Sequence, residues 1–131
     1  MKKIFLFTKP AFYFANMILI ILYLYPGSII GWFVFGDFQK QPQITENIFD
    51  ISSNHIYAFL VLSILGIFSF EKRKIKGLFI YLFSSAVFLE ILQIIIPKRS
   101  FEYIDLFGNV IGVFLIFLIF IIYIFFKKNY D

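Results

Sequence analysis

Cysteine is absent from this 131-residue sequence, and histidine occurs only once, as His55. The lack of cysteine excludes disulfide bonds, thiolate metal ligands and an acylated cysteine. A Gly-x-Ser-x-Gly elbow, a His-Glu-x-x-His pair and a glycine-rich phosphate-binding loop are also missing. No two candidate ligands have the helical spacing of a known metal motif, so we expect no metal ion and no cofactor.

Charged residues are scarce, at 15% of the chain, whereas 61% is hydrophobic and 23% is aromatic. An ordinary soluble domain is only about 45 to 50% apolar, so this composition predicts an all-α integral membrane protein. Because a helical span needs about 20 apolar residues, the length allows about four transmembrane helices in a single domain, residues 1–131. The net charge of +4 lies at the ends of apolar runs, where it indicates topology, so nucleic acid is not an expected partner.

Four apolar runs are the expected transmembrane helices. Their limits are residues 10–25, 55–70, 77–96 and 105–126. Lys9 and Pro10 interrupt the start of the first run and no signal-cleavage site follows it, so we expect this run to be retained. Residues 29–36 are apolar but too short to cross, and Trp32 favours the headgroup level, so we expect an interfacial or re-entrant piece there.

The lysine and arginine residues predict the orientation. Nine of the twelve lie within residues 1–9, 71–76 and 127–131, and the other three lie in the connections 26–54 and 97–104. Cytoplasmic loops carry the excess of positive charge, so the first group is expected inside the cell. The sequence therefore predicts a multi-pass protein of the bacterial cytoplasmic (inner) membrane with both termini in the cytoplasm.

Two pairs of polar residues lie within or beside the last two apolar runs. Glu90 and Gln93 are three residues apart, and Asp105 and Asn109 are four apart, so each pair shares one helix face. A carboxylate inside an apolar run is costly unless it faces a protein interior or a watery cavity, which makes Glu90 a candidate functional residue. Tyrosine and phenylalanine side chains are expected mostly to face lipid or to pack.

The predicted topology places these polar residues at a similar depth. His55 begins the second run at its outer end, and by helical rise Glu90 lies ~10 Å and Asn109 ~6 Å below the outer turn. We therefore expect a polar pocket in the outer third of the membrane, with Arg99 at its mouth. The expected ligand-binding residues are His55, Glu90, Gln93, Arg99, Asp105 and Asn109.

Several of these residues also have a purely structural interpretation. His55 at a helix start is as readily an interfacial residue, and Arg99 with Asp105 could form an ion pair that tightens the outer turn. Glu90 could pair with Arg99 or His55 to hold helices together. The spacing of Gly108 and Gly112 indicates close helix packing.

The pattern as a whole resembles the VanZ-like family of small bacterial membrane proteins, over roughly residues 50 to 120. The matching elements are His55, Glu90-x-x-Gln93, the turn Pro97-Lys98-Arg99-Ser100, and Asp105-x-x-x-Asn109-x-x-Gly112. Where the family has Asp and Lys before the histidine, this chain has Ile51 and Ser52. The resemblance implies an integral cell-envelope protein in which the six polar residues form a shared site.

Three functions fit these observations. The first is a protein that binds an anionic membrane lipid or a lipid-linked envelope precursor at the outer leaflet. The second is a membrane enzyme on such a substrate, with Glu90 or His55 as general acid/base. The third is a structural membrane protein whose polar residues join helices. The sequence does not indicate an oligomeric state.

Overall fold

Helices account for nearly all of the regular structure in the computed structural model, which describes the backbone of residues 2–130 and the side chains of residues 7–128. There is no β-strand within this described part. The α-helices are α1 (Lys2–Leu24), α2 (Ile29–Phe35), α3 (Ser53–Ser69), α4 (Ile75–Leu92) and α5 (Tyr103–Tyr130). The expected all-α class is confirmed.

Three of the helical segments are long and apolar enough to cross a membrane: Phe7–Leu24, Lys72–Ile95 and Tyr103–Lys128. The expected second span is shorter. Helix α3 has 17 residues, which by helical rise extend ~25 Å, less than the ~30 Å of a hydrocarbon core. It ends because Phe70 adopts an extended backbone (φ −121°, ψ 145°), directly before the charged stretch that starts at Glu71. The chain thus has three long apolar helices and a shorter apolar one.

Large apolar side chains cover the outside of the helices. Phe14 of α1, Phe88 of α4 and Phe125 of α5 are each more than half exposed. A monomeric soluble protein rarely exposes wide apolar surfaces, because water would drive them to associate. Surfaces of this kind are instead suited to contact with lipid tails, which agrees with the length and hydropathy of the helices.

Helix α3 lies at the centre of the bundle, packed against α1 and α5, and α4 packs against α5. Glycines allow the close approach of α5. A Cβ atom added at Gly112 would lie 2.5 Å from the carbonyl oxygen of Ile56, and one at Gly108 would lie 2.7 Å from that of Ser52. The packing role predicted for these two glycines is confirmed, and it brings α5 close to the N-terminal end of α3.

The connection between α2 and α3 folds back onto the N-terminal end of α3. Asn54 fixes it, because its Oδ1 atom accepts a hydrogen bond from the amide of Ile44 (2.9 Å) and its Nδ2 atom donates to the carbonyl of Pro42 (2.7 Å). Helix α2 is itself held against this connection at Gly31, where any Cβ atom would collide with the carbonyl of Lys40. These contacts enclose a space between α1, α2 and α3.

Candidate functional site

A cluster of polar side chains lies buried where four helices meet. His55 comes from α3, Glu90 from α4, Asn109 from α5 and Tyr23 from α1, and each is less than one tenth exposed. Asp105, one turn before Asn109 on α5, closes one side of the cluster with a side chain that is 19% exposed. The structure therefore brings together four of the six expected site residues and adds a tyrosine.

His55 is the centre of the cluster. Its Nδ1 atom lies 3.0 Å from both the hydroxyl of Tyr23 and Oδ1 of Asn109. Its Nε2 atom lies 3.5 Å from Oδ2 of Asp105. Both ring nitrogens are thus directed at protein groups, which holds the ring in one orientation.

Asn109 sets the hydrogen-bond polarity of the cluster. Its Nδ2 atom donates to the carbonyl of Ala86 on α4 (3.1 Å), so its Oδ1 atom faces the other way, toward His55. Tyr23 donates its hydroxyl proton to the same Oδ1 atom at 2.5 Å. Because an amide oxygen only accepts, Nδ1 of His55 must carry the proton that it shares with Asn109.

Glu90 has one satisfied and one unsatisfied carboxylate oxygen. Oε1 accepts a hydrogen bond from the amide of Glu102 at 3.1 Å, which ties α4 to the turn before α5. Oε2 is buried and has no hydrogen-bond partner among the described residues, although Nδ1 of His55 lies 4.0 Å away. An unpaired buried carboxylate oxygen is expensive, so this atom marks a place where a further group belongs.

Arg99 lies beside the cluster and serves a different purpose. Its Nη2 atom donates to the carbonyls of Leu22 (2.9 Å) and Gly27 (2.6 Å), and its Nε atom donates to that of Tyr25 (3.2 Å). Leu22 lies in the last turn of α1, where carbonyls lack helical partners, and Tyr25 and Gly27 lie just after that helix. Arg99 therefore acts as the C-terminal cap of α1. The proposed ion pair with Asp105 is wrong, because Asp105 faces His55 instead.

The electrostatics of Arg99 agree with this position. Burial lowers the pKa of its guanidinium, and the nearby carboxylates of Asp105 and Glu90 oppose that shift. Arginine nevertheless stays charged at neutral pH, because its ordinary value lies so far above 7. A permanent positive charge is therefore held at the C-terminal end of α1.

Gln93 is buried in the short 3-10 turn that follows α4, and it faces a cavity rather than the polar cluster. This cavity has a volume of about 530 Å³ and lies between α1, α2 and α3. Its apolar wall is formed mainly by residues such as Ile18, Leu22 and Val61. The polar lining residues are Tyr23, Ser28, Gln41, Gln43, Asn54, His55, Tyr57, Gln93 and Arg99.

A second cavity of about 290 Å³ adjoins the first. The two share Ser28, Gln41 and Arg99 in their linings, and the second adds Gln39 and the exposed Lys98. A mainly apolar cavity thus adjoins a smaller cavity whose lining includes two cationic side chains. That combination matches an amphiphilic molecule with an anionic end.

Sequence reasoning missed the role of Tyr23. Tyrosine occurs eight times in the chain, and the prediction was that most of these side chains face lipid or pack. The one available signal was depth, because Tyr23 lies at the outer end of the first apolar run, level with the start of the second. That signal does not say which way the side chain points.

Comparison with known proteins agrees with the sequence pattern. The family model described as VanZ/LLP1 matches residues 5–126, nearly the whole chain. No curated protein and no solved structure gives a significant match. With its long apolar helices and this match, the chain belongs to the VanZ-like family of membrane proteins.

Proposed function

We propose that this protein binds an amphiphilic envelope lipid, either an anionic membrane lipid or a lipid-linked precursor, from the outer leaflet of the bacterial cytoplasmic membrane. The observation that carries the proposal is the adjacency of the two cavities, which share Ser28, Gln41 and Arg99 in their linings. A mainly apolar compartment thus lies next to one that Lys98 and Arg99 make cationic.

The apolar compartment suits a lipid tail. Along α1 its lining extends from Tyr23 down to Ala15, a distance of ~12 Å by helical rise. On the opposite wall, α3 contributes the small side chain of Ala58 and the exposed side chain of Val61. A volume of about 530 Å³ lies within the roughly 300–1,000 Å³ typical of small-molecule sites.

The cationic compartment suits an anionic headgroup. Arg99 contributes mainly charge, since most of its N–H groups already bind carbonyls and Gln41. Lys98 is exposed beside it and has a flexible ammonium group available for a phosphate oxygen. Gln41, which lines both compartments, adds an amide group where they meet.

Binding is favoured over catalysis by the position of His55. A general base needs a nitrogen directed at its substrate, but both ring nitrogens of His55 point to Tyr23, Asn109 and Asp105. His55 lines the cavity, but each of its ring nitrogens already faces a protein group. An enzyme reaction at this site requires the ring to turn.

The test is lipid retention by the purified protein. We expect native mass spectrometry of protein in mild detergent to detect bound phosphatidylglycerol in preference to phosphatidylcholine. Ala58→Phe, which fills the apolar compartment, removes the bound lipid, whereas Ala11→Phe on the exposed surface of α1 leaves it. Equal retention by both variants contradicts the proposal.

A separate pair of variants tests the position of the anionic headgroup. Lys98→Gln removes charge at the second cavity and is expected to reduce the preference for the anionic lipid, whereas Lys72→Gln, far from both cavities, is not. If Lys98→Gln does not change the lipid preference, the second cavity does not hold the anionic headgroup.

The outer-leaflet position depends on the orientation inferred from the basic residues. A single cysteine introduced at Ser100 or at Lys74 is the only thiol that can be labelled, because the native chain has no cysteine. With an impermeant thiol reagent on intact cells, we expect labelling at position 100 and not at position 74. The reverse pattern overturns the proposed orientation.

A further inference from the structure

We propose that His55, Glu90 and Asp105 form a binding site for a divalent transition-metal cation. Each residue offers one ligand atom, and these atoms all lie within 4.8 Å of one another. One ligand comes from each of α3, α4 and α5, so the cation would join three helices. This revises the expectation from sequence, which looked for ligand pairs on a single helix.

The hydrogen-bond polarity of His55 is the first observation behind the proposal. Its Nδ1 atom carries the proton because Asn109 presents an amide oxygen to it. In the neutral ring, Nε2 then carries the lone pair, and it faces Oδ2 of Asp105 at 3.5 Å. Two electron-pair donors that face one another need a proton or a cation between them.

The unsatisfied oxygen of Glu90 is the second, independent observation. Oε2 is fully buried, lies 4.0 Å from Nδ1 of His55, and has no hydrogen-bond donor among the described residues. The nearest permanent cation, Arg99, donates to carbonyls of α1 and does not bond to either carboxylate. Two carboxylates and a neutral imidazole would otherwise share this interior with no cation in direct contact, since the Arg99 guanidinium acts on both carboxylates only at longer range.

The distances suit a small cation after a modest adjustment. Ligands bound tetrahedrally at about 2.0–2.1 Å lie roughly 3.4 Å apart, which the Nε2 to Oδ2 distance already matches. The third ligand, a carboxylate oxygen of Glu90, must approach the other two by about 1 Å. A small rotation of the Glu90 side chain supplies this movement.

The surroundings resemble those of established metal sites. A metal-bound histidine commonly donates its other N–H to an oxygen atom that fixes the ring. Asn109 has that role here, and Tyr23 and the carbonyl of Ala86 fix Asn109 in turn. Three protein ligands also leave a fourth position open, on the side where Asp105 is partly exposed.

The ligand set favours zinc or a similar ion. One imidazole nitrogen with two carboxylate oxygens suits Zn²⁺ and, less strongly, Mn²⁺, whereas Mg²⁺ prefers an octahedral set of oxygens. The competing occupant is a proton shared by the same three groups. These two occupants give opposite results in a binding measurement.

The test uses the full chain in detergent, with affinity tags removed and metal stripped by a chelator. We expect zinc titration calorimetry and metal analysis to show about one ion per chain, and an increase in the melting temperature that Mg²⁺ does not produce. Asp105→Asn keeps the shape of the side chain but removes a charged ligand, and is expected to lower zinc affinity at least about tenfold. Asp37→Asn, at a distant exposed loop, is the control.

A second measurement does not depend on how the variants fold. Co²⁺ added to the native chain should give the intense visible absorption of a four-coordinate site, and Zn²⁺ should abolish it. No stoichiometric zinc binding, or equal binding by Asp105→Asn and the native chain, overturns the proposal and assigns the site to a proton. Ala58→Phe should retain the metal, which separates this site from lipid binding.

Discussion

Tyr23 donates a hydrogen bond of 2.5 Å to Oδ1 of Asn109, and this bond links the first helix of the bundle to the last. Both groups are buried, so neither can exchange its partner for water. The same Asn109 oxygen faces His55 at 3.0 Å. The bond between α1 and α5 is thus also part of the support for His55.

Removing the Tyr23 hydroxyl tests that link. Tyr23→Phe removes one of the two hydrogen-bond donors to Oδ1 of Asn109 and leaves only Nδ1 of His55. We expect a loss of about 1–2 kcal/mol in the free energy of unfolding. Denaturant titration in detergent micelles measures it. Tyr123→Phe, at an exposed position of α5, should change stability by less than about 0.5 kcal/mol; an equal loss in both variants contradicts the role given to Tyr23.

Arg99 offers a test of capping against simple charge. Lysine keeps the charge but cannot reach the carbonyls of Leu22, Tyr25 and Gly27 together, because it lacks the planar fork. Arg99→Lys is therefore expected to destabilise the protein by about 2 kcal/mol, since bonds from charged donors are the stronger ones. If Arg99→Lys unfolds at the same denaturant concentration as the native chain, the cap is unimportant.

The glycines give a matched pair of alanine substitutions. A Cβ atom at Gly112 would lie 2.5 Å from the Ile56 carbonyl oxygen, whereas one at Gly77 would meet nothing within 4 Å. Gly112→Ala should force α5 away from α3 and cost about 1–3 kcal/mol. Gly77→Ala, in the first turn of α4, should be neutral or stabilise by up to about 1 kcal/mol. Thermal unfolding of the two variants in one detergent compares them; the same sign for both contradicts the packing argument.

Much of this arrangement follows from helical periodicity and charge. The spacing of Glu90 with Gln93 and of Asp105 with Asn109 predicts shared faces, and the depth argument brings His55 to the same level. Periodicity does not give the rotation of one helix against another, however. Gln93 therefore faces the cavity while Glu90 faces His55.

The parts that sequence could not predict depend on the main chain or on distant residues. The acceptors of Arg99 are backbone carbonyls, which leave no mark in the sequence, so its capping of α1 was not foreseen. The convergence of three possible metal ligands from three helices follows no local spacing. By contrast, α3 ends at Ser69, one residue before the limit of 70 that the apolar run predicts.

Photocrosslinking tests the central claim of lipid binding most directly. A phosphatidylglycerol that carries a photoreactive group in its acyl chain is mixed with the protein in bilayers, illuminated, and the labelled peptides are mapped. We predict strong labelling of the cavity wall at Leu22 and Val61 that Ala58→Phe abolishes, above weak labelling of the exposed α5 surface at Ile119 that it does not change. Labelling that follows exposure alone, and that Ala58→Phe leaves unaltered, would contradict a lipid site between α1 and α3.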